Sequence, residues 1–183
     1  VSQSICKFET NLCLKINTFN MKKILLISDT HGFLDDKIIT HCKSADEIWH
    51  AGDIGNYSLV ESLKKIKPLR AVYGNIDDQS IRNEFKIDCK FSVEQIKVWM
   101  THIGGYPGNY KKRILEGLHE YKPDLFICGH SHILKIIHDR KYNFLHINPG
   151  AIGKHGFHQK RTMVRFIIDN GDINNLEVIE FNR

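Results

Sequence analysis

Asp29 and His31, two apart in Ser28-Asp29-Thr30-His31-Gly32, place a carboxylate and an imidazole just beyond the apolar run Ile24-Leu25-Leu26-Ile27. In extended backbone residues two apart point the same way, so the pair is expected to face one point as two ligands of a metal ion. The theme recurs down the chain: Asp53 follows Gly52, Asn75 follows Gly74, His102 follows an apolar stretch, and His130 and His132 flank Ser131 after Gly129. Oxygen and nitrogen donors without cysteine suit Mn, Fe, Co, Ni or Zn rather than a thiolate-seeking ion. Each motif alone has a plainer reading, Asp29 as a helix cap, Gly52-Asp53 and Gly74-Asn75 as turns, His102 as a core or rim histidine. Taken together, Asp, Asn or His directly after a strand in five segments is poorly explained by coincidence.

The elements that must carry these residues follow from periodicity. Four aliphatic residues between lysines and a glycine read as a strand buried on both faces, as at the centre of a parallel sheet. Asp35 is expected to cap a helix through about Ser44, with Ile38, Ile39 and Cys42 turned inward. A strand over Glu47 to Ala51, a helix from about Ser58 carrying Leu59, Val60, Leu63 and Ile66, and a strand over Arg70 to Tyr73 come next. Ile87 to Ser92 and Ile96 to Thr101 read as an antiparallel hairpin, and Tyr110 to Tyr121 as a helix. A buried strand over Asp124 to Cys128 precedes Gly129, and short strands with Asp139-Arg140, Pro149-Gly150 and Asn170-Gly171 turns fill the rest. Alternating strand and helix followed by consecutive strands predicts a layered α/β/β/α sandwich, two mixed sheets flanked by helices. The ligands then line one rim, where open α/β sheets bind their ligands.

The ordered set Asp-x-His, Gly-Asp, Gly-Asn, a lone His and Gly-His-x-His resembles the calcineurin-like metallophosphoesterase superfamily over nearly the whole chain from Met21. Gly74-Asn75-Ile76-Asp77, Thr101-His102-Ile103-Gly104, Gly129-His130-Ser131-His132 and Asn148-Pro149-Gly150 are similar to the compact YfcE-like phosphodiesterases. That resemblance implies a two-metal site: Asp29, His31, Asp53 and His132 around one ion, Asp53, Asn75, His102 and His130 around the other, with Asp53 bridging. It implies two divalent cations, manganese first with Ni, Fe, Co or Zn open, and attack of metal-bound hydroxide on a phosphodiester, with Asp53, Asn75 and His102 at the chemistry. Two protein carboxylates, Asp29 and Asp53, leave such a site positive, which suits a phosphate oxygen. Many members of the superfamily have a histidine where Ile76 stands, and it is usually credited with protonating the leaving group. Ile76 cannot do so, Asp77 has no imidazole to orient, and His155 or His158 after Asn148-Pro149-Gly150 is the candidate substitute. The rival reading is a non-catalytic scaffold of the same fold, like the retromer subunit, whose site is degraded.

Other residues carry weaker signals. His50 reads as a support for a ligand or as an ordinary strand histidine. His41, His119, His138 and His146 read as packing or surface residues, and Asn148 as a residue that could line the site. Lys111, Lys112 and Arg113 read as a solvated helix face, with contact to a substrate's second group as the alternative.

At 183 residues with 42% apolar and 26% charged, the chain suits one globular domain, expected over 21–183. Residues 1–20 lack periodicity and precede Met21, so they read as an amino-terminal extension, with the working protein starting at Met21. No apolar run is long enough to span a bilayer. The net charge of +5 is scattered rather than gathered, so the expected partner is a small-molecule or nucleotide-like phosphodiester; nucleic acid is disfavoured and a homo-oligomer stays open. Five cysteines without close pairing fit reduced thiols and a cytoplasmic setting.

Overall fold

In the computed structural model, which describes residues 21–183, the alternation of the first strand sets the layers. The expected extension, 1–20, lies outside the described residues. Along β1 (Lys22–Ile27), Ile24 and Leu26 enter one core and Leu25 and Ile27 another, and all four are buried. A stretch covered on both faces must be apolar, and Ile24 to Ile27 is, while Lys22 and Lys23 stand at the uncovered start of the strand.

β2 (Glu47–His50) and β3 (Leu69–Ala71) run parallel to β1, while on its other side β11 (Lys160–Asp169) pairs antiparallel with β1 and β12 (Asp172–Asn182) antiparallel with β11. The sheet around β1 is therefore mixed, as the layered fold requires. The second sheet has the order β4 (Asp88–Val93), β5 (Ile96–Thr101), β8 (Leu125–Ile127), β10 (Phe144–Pro149), β9 (Leu134–Asp139). Its members β5, β8 and β10 are parallel. Between β5 and β8, the short strands β6 (Gly105–Tyr106) and β7 (Asn109–Tyr110) form a small hairpin.

Side chains from both sheets interdigitate in one apolar layer, Ile24, Leu26, Trp49 and Val164 meeting Val98, Met100, Ile127 and Ile147. Outside the first sheet, α1 (Asp36–Ser44) and α2 (Tyr57–Ile66) bury Ile38, Cys42, Leu59, Val60 and Leu63 against Leu25, Ile27 and Ile48. Outside the second, α4 (Lys112–Tyr121) lays Ile114 and Leu118 against Trp99, Phe126 and Phe144. These layers make the α/β/β/α sandwich expected from the element pattern.

The starts of α1, α2 and a further short helix are fixed by side chains that satisfy free backbone N–H groups, whereas α4 begins without such a cap. Asp35 accepts from Ile38 N at 2.9 Å and Asn56 from Leu59 N at 2.9 Å. Asp78 caps α3 (Gln79–Glu84), a helix the sequence reading passed over. The hairpin of β6 and β7 also takes Tyr110 from the expected helix, which starts at Lys112 instead.

Candidate metal centre

The candidate ligands stand beyond the carboxyl ends of the parallel strands: Asp29 and His31 after β1, Asp53 after β2, Asn75 after β3, His102 after β5, and His130 and His132 after β8. Asp29 and His31 do not continue the strand. Both adopt left-handed backbone, φ 54° and 47°, as do Asp53, His130 and His132 at 53°, 69° and 57°. The convergence expected from extended backbone is reached by a different route. Among the described residues, five of the ten non-glycine residues with positive φ are candidate ligands, and this conformation is costly for side chains with a Cβ. Backbone hydrogen bonds hold it, Asp29 N donating to Gly52 O and His31 N to Asp53 O, each at 3.0 Å.

Two groups of donors result. Asp29, His31 and His132 form one and Asp53, His102 and His130 the other, with the chosen ligand atoms of each within 4.8 Å of one another. Asp53 faces both groups, with Oδ2 3.9 Å from His31 Nε2 and Oδ1 3.2 Å from His102 Nε2. Asn75 is exposed and lines the cleft beside Asp53.

The hydrogen bonding selects ligand atoms. The Ala51 carbonyl can only accept, so His102 Nδ1 carries the proton it donates there at 2.8 Å, and Nε2 is left with its lone pair. Asp29 Oδ2 accepts from Ser28 Oγ at 2.6 Å and His130 N at 3.1 Å, while its Oδ1 accepts no hydrogen bond. Asp29 Oδ1 and His102 Nε2 are thus buried, 4.0 Å apart and without a hydrogen bond, although His132 Nε2 and Asp53 Oδ1 respectively stand 3.2 Å from them. Leaving a polar atom so costs about 1–3 kcal/mol, a penalty a divalent cation would remove. The donor set and these two orphaned atoms fit divalent metal.

Charge in the cluster is divided. Burial by itself would lower the His102 pKa, but the carboxylates of Asp53 and Asp29 outweigh it and raise it. Burial lowers His31 and His130. Burial also opposes ionisation of Asp53, yet His102, the Ile76 N–H and His31 hold its pKa below the usual carboxylate range.

Residues behind the ligands hold the loops. His50 is fully buried; its Nδ1 accepts from Gly52 N at 3.2 Å and its Nε2 lies 2.8 Å from Thr30 Oγ1. Burial pushes its pKa down to about 4, which keeps it neutral. Asp77, read from sequence as a carboxylate without an imidazole to orient, instead accepts from Gly55 N at 2.8 Å and Gly74 N at 2.7 Å. Asn148 donates to Gly129 O at 2.9 Å and Ser131 Oγ at 3.0 Å, bracing the loop that carries His130 and His132. Gly129 must lack a side chain, because a Cβ there would meet Ser28 Oγ and Asp29 Oδ2.

The ligands open into a cleft of about 560 Å³. His155 and His158 stand on its wall, their rings 4.7 Å from His31 and 5.3 Å from His132. Ile76, Ile133 and Phe157 also line it and expose apolar surface. Cys42 and Cys128 are buried away from solvent, with thiol pKa values pushed up to about 12, so neither is a nucleophile at neutral pH.

Fold, strand-end ligands and paired donor groups together define a metallophosphoesterase-type protein. The profile of the calcineurin-like phosphoesterase superfamily domain matches residues 21–171, and the chain belongs to that superfamily. It is 27% identical over 134 residues to a probable metallophosphoesterase of Methanothermobacter thermautotrophicus, covering 69% of this chain and 74% of that protein. A predicted phosphoesterase of Streptococcus pneumoniae superposes with a TM-score of 0.62 at 21% identity, covering 89% and 98% of the two chains. Vacuolar protein sorting 29 of Cryptosporidium parvum superposes with 0.63 at 18% identity, covering 89% and 99%. These two superpositions show the fold alone. Among the described residues no helix is long and apolar enough to cross a membrane.

Proposed function

We propose that this chain is a cytoplasmic, dinuclear metal-dependent phosphodiesterase acting on a small or nucleotide-like ester. The observation that carries the reading is the position of Asp53, whose two carboxylate oxygens face the two donor groups separately. Asp29, His31, Asp53 and His132 would hold one divalent cation and Asp53, Asn75, His102 and His130 the other, manganese being the first to test. When bound, the pair supplies Lewis acidity that lowers the pKa of a shared water and neutralises charge on phosphoryl oxygens.

The chain's own residues do the positioning. Asp29 and Asp53 are the only carboxylates in the two donor groups, so a loaded site keeps a positive surplus for a phosphate. Asn75 stands at the cleft with an amide N–H to offer a phosphoryl oxygen. A diester is favoured over a monoester because a second cleft meets the first at Asn75, giving two ester arms somewhere to go. His155 is exposed on the wall and is the candidate donor of the leaving-group proton; His158 is committed to Gly153 O at 3.0 Å.

A scaffold role in the same fold is the competing reading, supported by the likeness to vacuolar protein sorting 29. Against it stand competent donors at all seven expected positions. Purified protein supplied with Mn²⁺ is expected to hydrolyse bis(4-nitrophenyl) phosphate, and to lose this with chelator and in Asp53→Ala and His132→Ala. Failure to bind metal at saturating concentration, or activity indifferent to both chelator and substitution, would sink the reading.

A further inference from the structure

The second cleft, about 250 Å³, shares Asn75 with the metal-centre cleft and is also lined by His102, Tyr73, Ile87, Arg82 and Arg113. Among the described residues no carboxylate lines it. Its two cations are held differently. Arg113, from the segment read as a solvated helix face, pairs with Asp88 and donates to Thr101 Oγ1 at 2.9 Å, so its charge is offset. Arg82 has no carboxylate partner among the described residues. Its Nε donates to Asp77 O at 2.6 Å and its Nη2 to Asn75 O at 3.1 Å, while the guanidinium lies 4.7 Å from the Tyr73 ring centroid. Carbonyls and an aromatic face fix the guanidinium without neutralising it.

That arrangement is preorganised for an anion. A neutral donor would serve the same carbonyls; a guanidinium adds a full charge, and with Nε and Nη2 spent on Asp77 O, Gly74 O and Asn75 O, its Nη1, which makes no hydrogen bond among the described residues, is the group left to donate to a phosphate oxygen. Because the side chain is already ordered, little conformational entropy is lost when a ligand binds. A cleft with an un-neutralised guanidinium and no carboxylate among its described lining residues also draws anions from solution.

We propose that this cleft binds a phosphate group at the far end of one ester arm of the substrate, with Arg82 as the specificity-determining residue. The inference rests on the phosphodiesterase reading and narrows its substrate to diesters of a phosphate-bearing alcohol. The apolar wall at Ile87 would accept the linking carbons.

A matched pair of 4-nitrophenyl diesters tests it, one with a 3-phosphopropyl arm and the other with a 3-hydroxypropyl arm. The ratio of their kcat/KM values cancels general damage to the enzyme. The phosphorylated ester is expected to be preferred by at least roughly tenfold, about the contribution of one charge-assisted hydrogen bond, with the gain in KM. Arg82→Gln should bring the ratio close to one, Arg82→Lys should retain part of it, and Ile87→Glu, which adds a carboxylate to the wall, should lower it too. If both esters are hydrolysed and the ratio is the same in the native protein and all three variants, the cleft does not recognise phosphate and the inference falls alone. If neither ester is hydrolysed, calorimetric titration with 1,3-propanediol bisphosphate decides separately: weaker binding in Arg82→Gln supports the cleft, and equal binding overturns it.

Discussion

His102 Nε2 lies 3.2 Å from Asp53 Oδ1, with the other ring nitrogen already committed to the Ala51 carbonyl. A proton and a cation therefore compete for one lone pair. The carboxylates raise the His102 pKa, so metal affinity should begin to fall while the pH is still above 6.5, the ordinary imidazole value. His31 and His130, lowered by burial, stay neutral further into acid, and the first loss should be a one-proton event. Below the raised pKa, affinity should drop about tenfold per pH unit. In metal-free protein the sign reverses: the stability from this group is complete below 6.5 and lost as pH rises through the raised value. Metal titrations from pH 8 to 6 check the first statement, and a binding constant that does not change over that range contradicts it.

Asp77 joins the loop after β2 to the loop after β3 through two backbone N–H groups, and it is 3% exposed. Removing the carboxylate leaves Gly55 N and Gly74 N without acceptors. Asp77→Ala should destabilise the protein by about 2–4 kcal/mol, and Asp77→Asn by less because one acceptor survives. Because the same bonds position Asp53 and Asn75, metal affinity should fall with stability. Urea titrations measure the first effect, and a change within ~0.5 kcal/mol, the ordinary range for a surface substitution, would remove Asp77 from this role.

That the candidate residues gather at one rim was legible because each follows a strand that a short apolar run marks out, with a glycine close by. The conformation of those ligands was not legible. The spacing of Asp29 and His31 suggested extended backbone, whereas left-handed φ at both depends on hydrogen bonds to Gly52 and Asp53, residues on another strand's loop. Asp77 looked purposeless beside Ile76 because its partners, two glycine N–H groups, have no side-chain signature. α3 was missed although Asp78 bonds Ser80 N and Ile81 N, a cap obscured by the polar residues around it. Arg82 gained its meaning only once that helix set it beside Asn75 and Tyr73. β11 pairs with β1 from the far end of the chain, a relationship no local pattern encodes.

His146 lies on the far side of the second sheet, 1% exposed, with Nδ1 3.4 Å from the Tyr110 hydroxyl, which donates to Asp139 at 2.9 Å. Burial pushes its pKa down to about 4. The unfolded chain, titrating near 6.5, then binds the proton more readily, so stability should fall as pH drops from 6.5 towards 4. The shift corresponds to up to about 3 kcal/mol over that window. His146→Gln should flatten this part of the stability profile, and an unaltered slope would show that the proton is taken up elsewhere.

Ile76 is an exposed apolar residue that cannot donate a proton, and His155 is the donor proposed in its place. Its ring lies 4.7 Å from that of His31 on the wall of the cleft, and no hydrogen bond ties it down among the described residues. General-acid help matters most when the departing alcohol is basic, and it is typically worth a factor of about 10² to 10⁴. His155→Ala should therefore slow an alkyl phosphodiester by roughly 10² or more while leaving a 4-nitrophenyl ester within a few fold, since nitrophenolate leaves without a proton. The two leaving groups separate the roles: a residue that only packed against His31 would slow both esters alike. Equal losses on the two substrates would assign His155 to positioning and send the search for the donor to water or to the substrate itself.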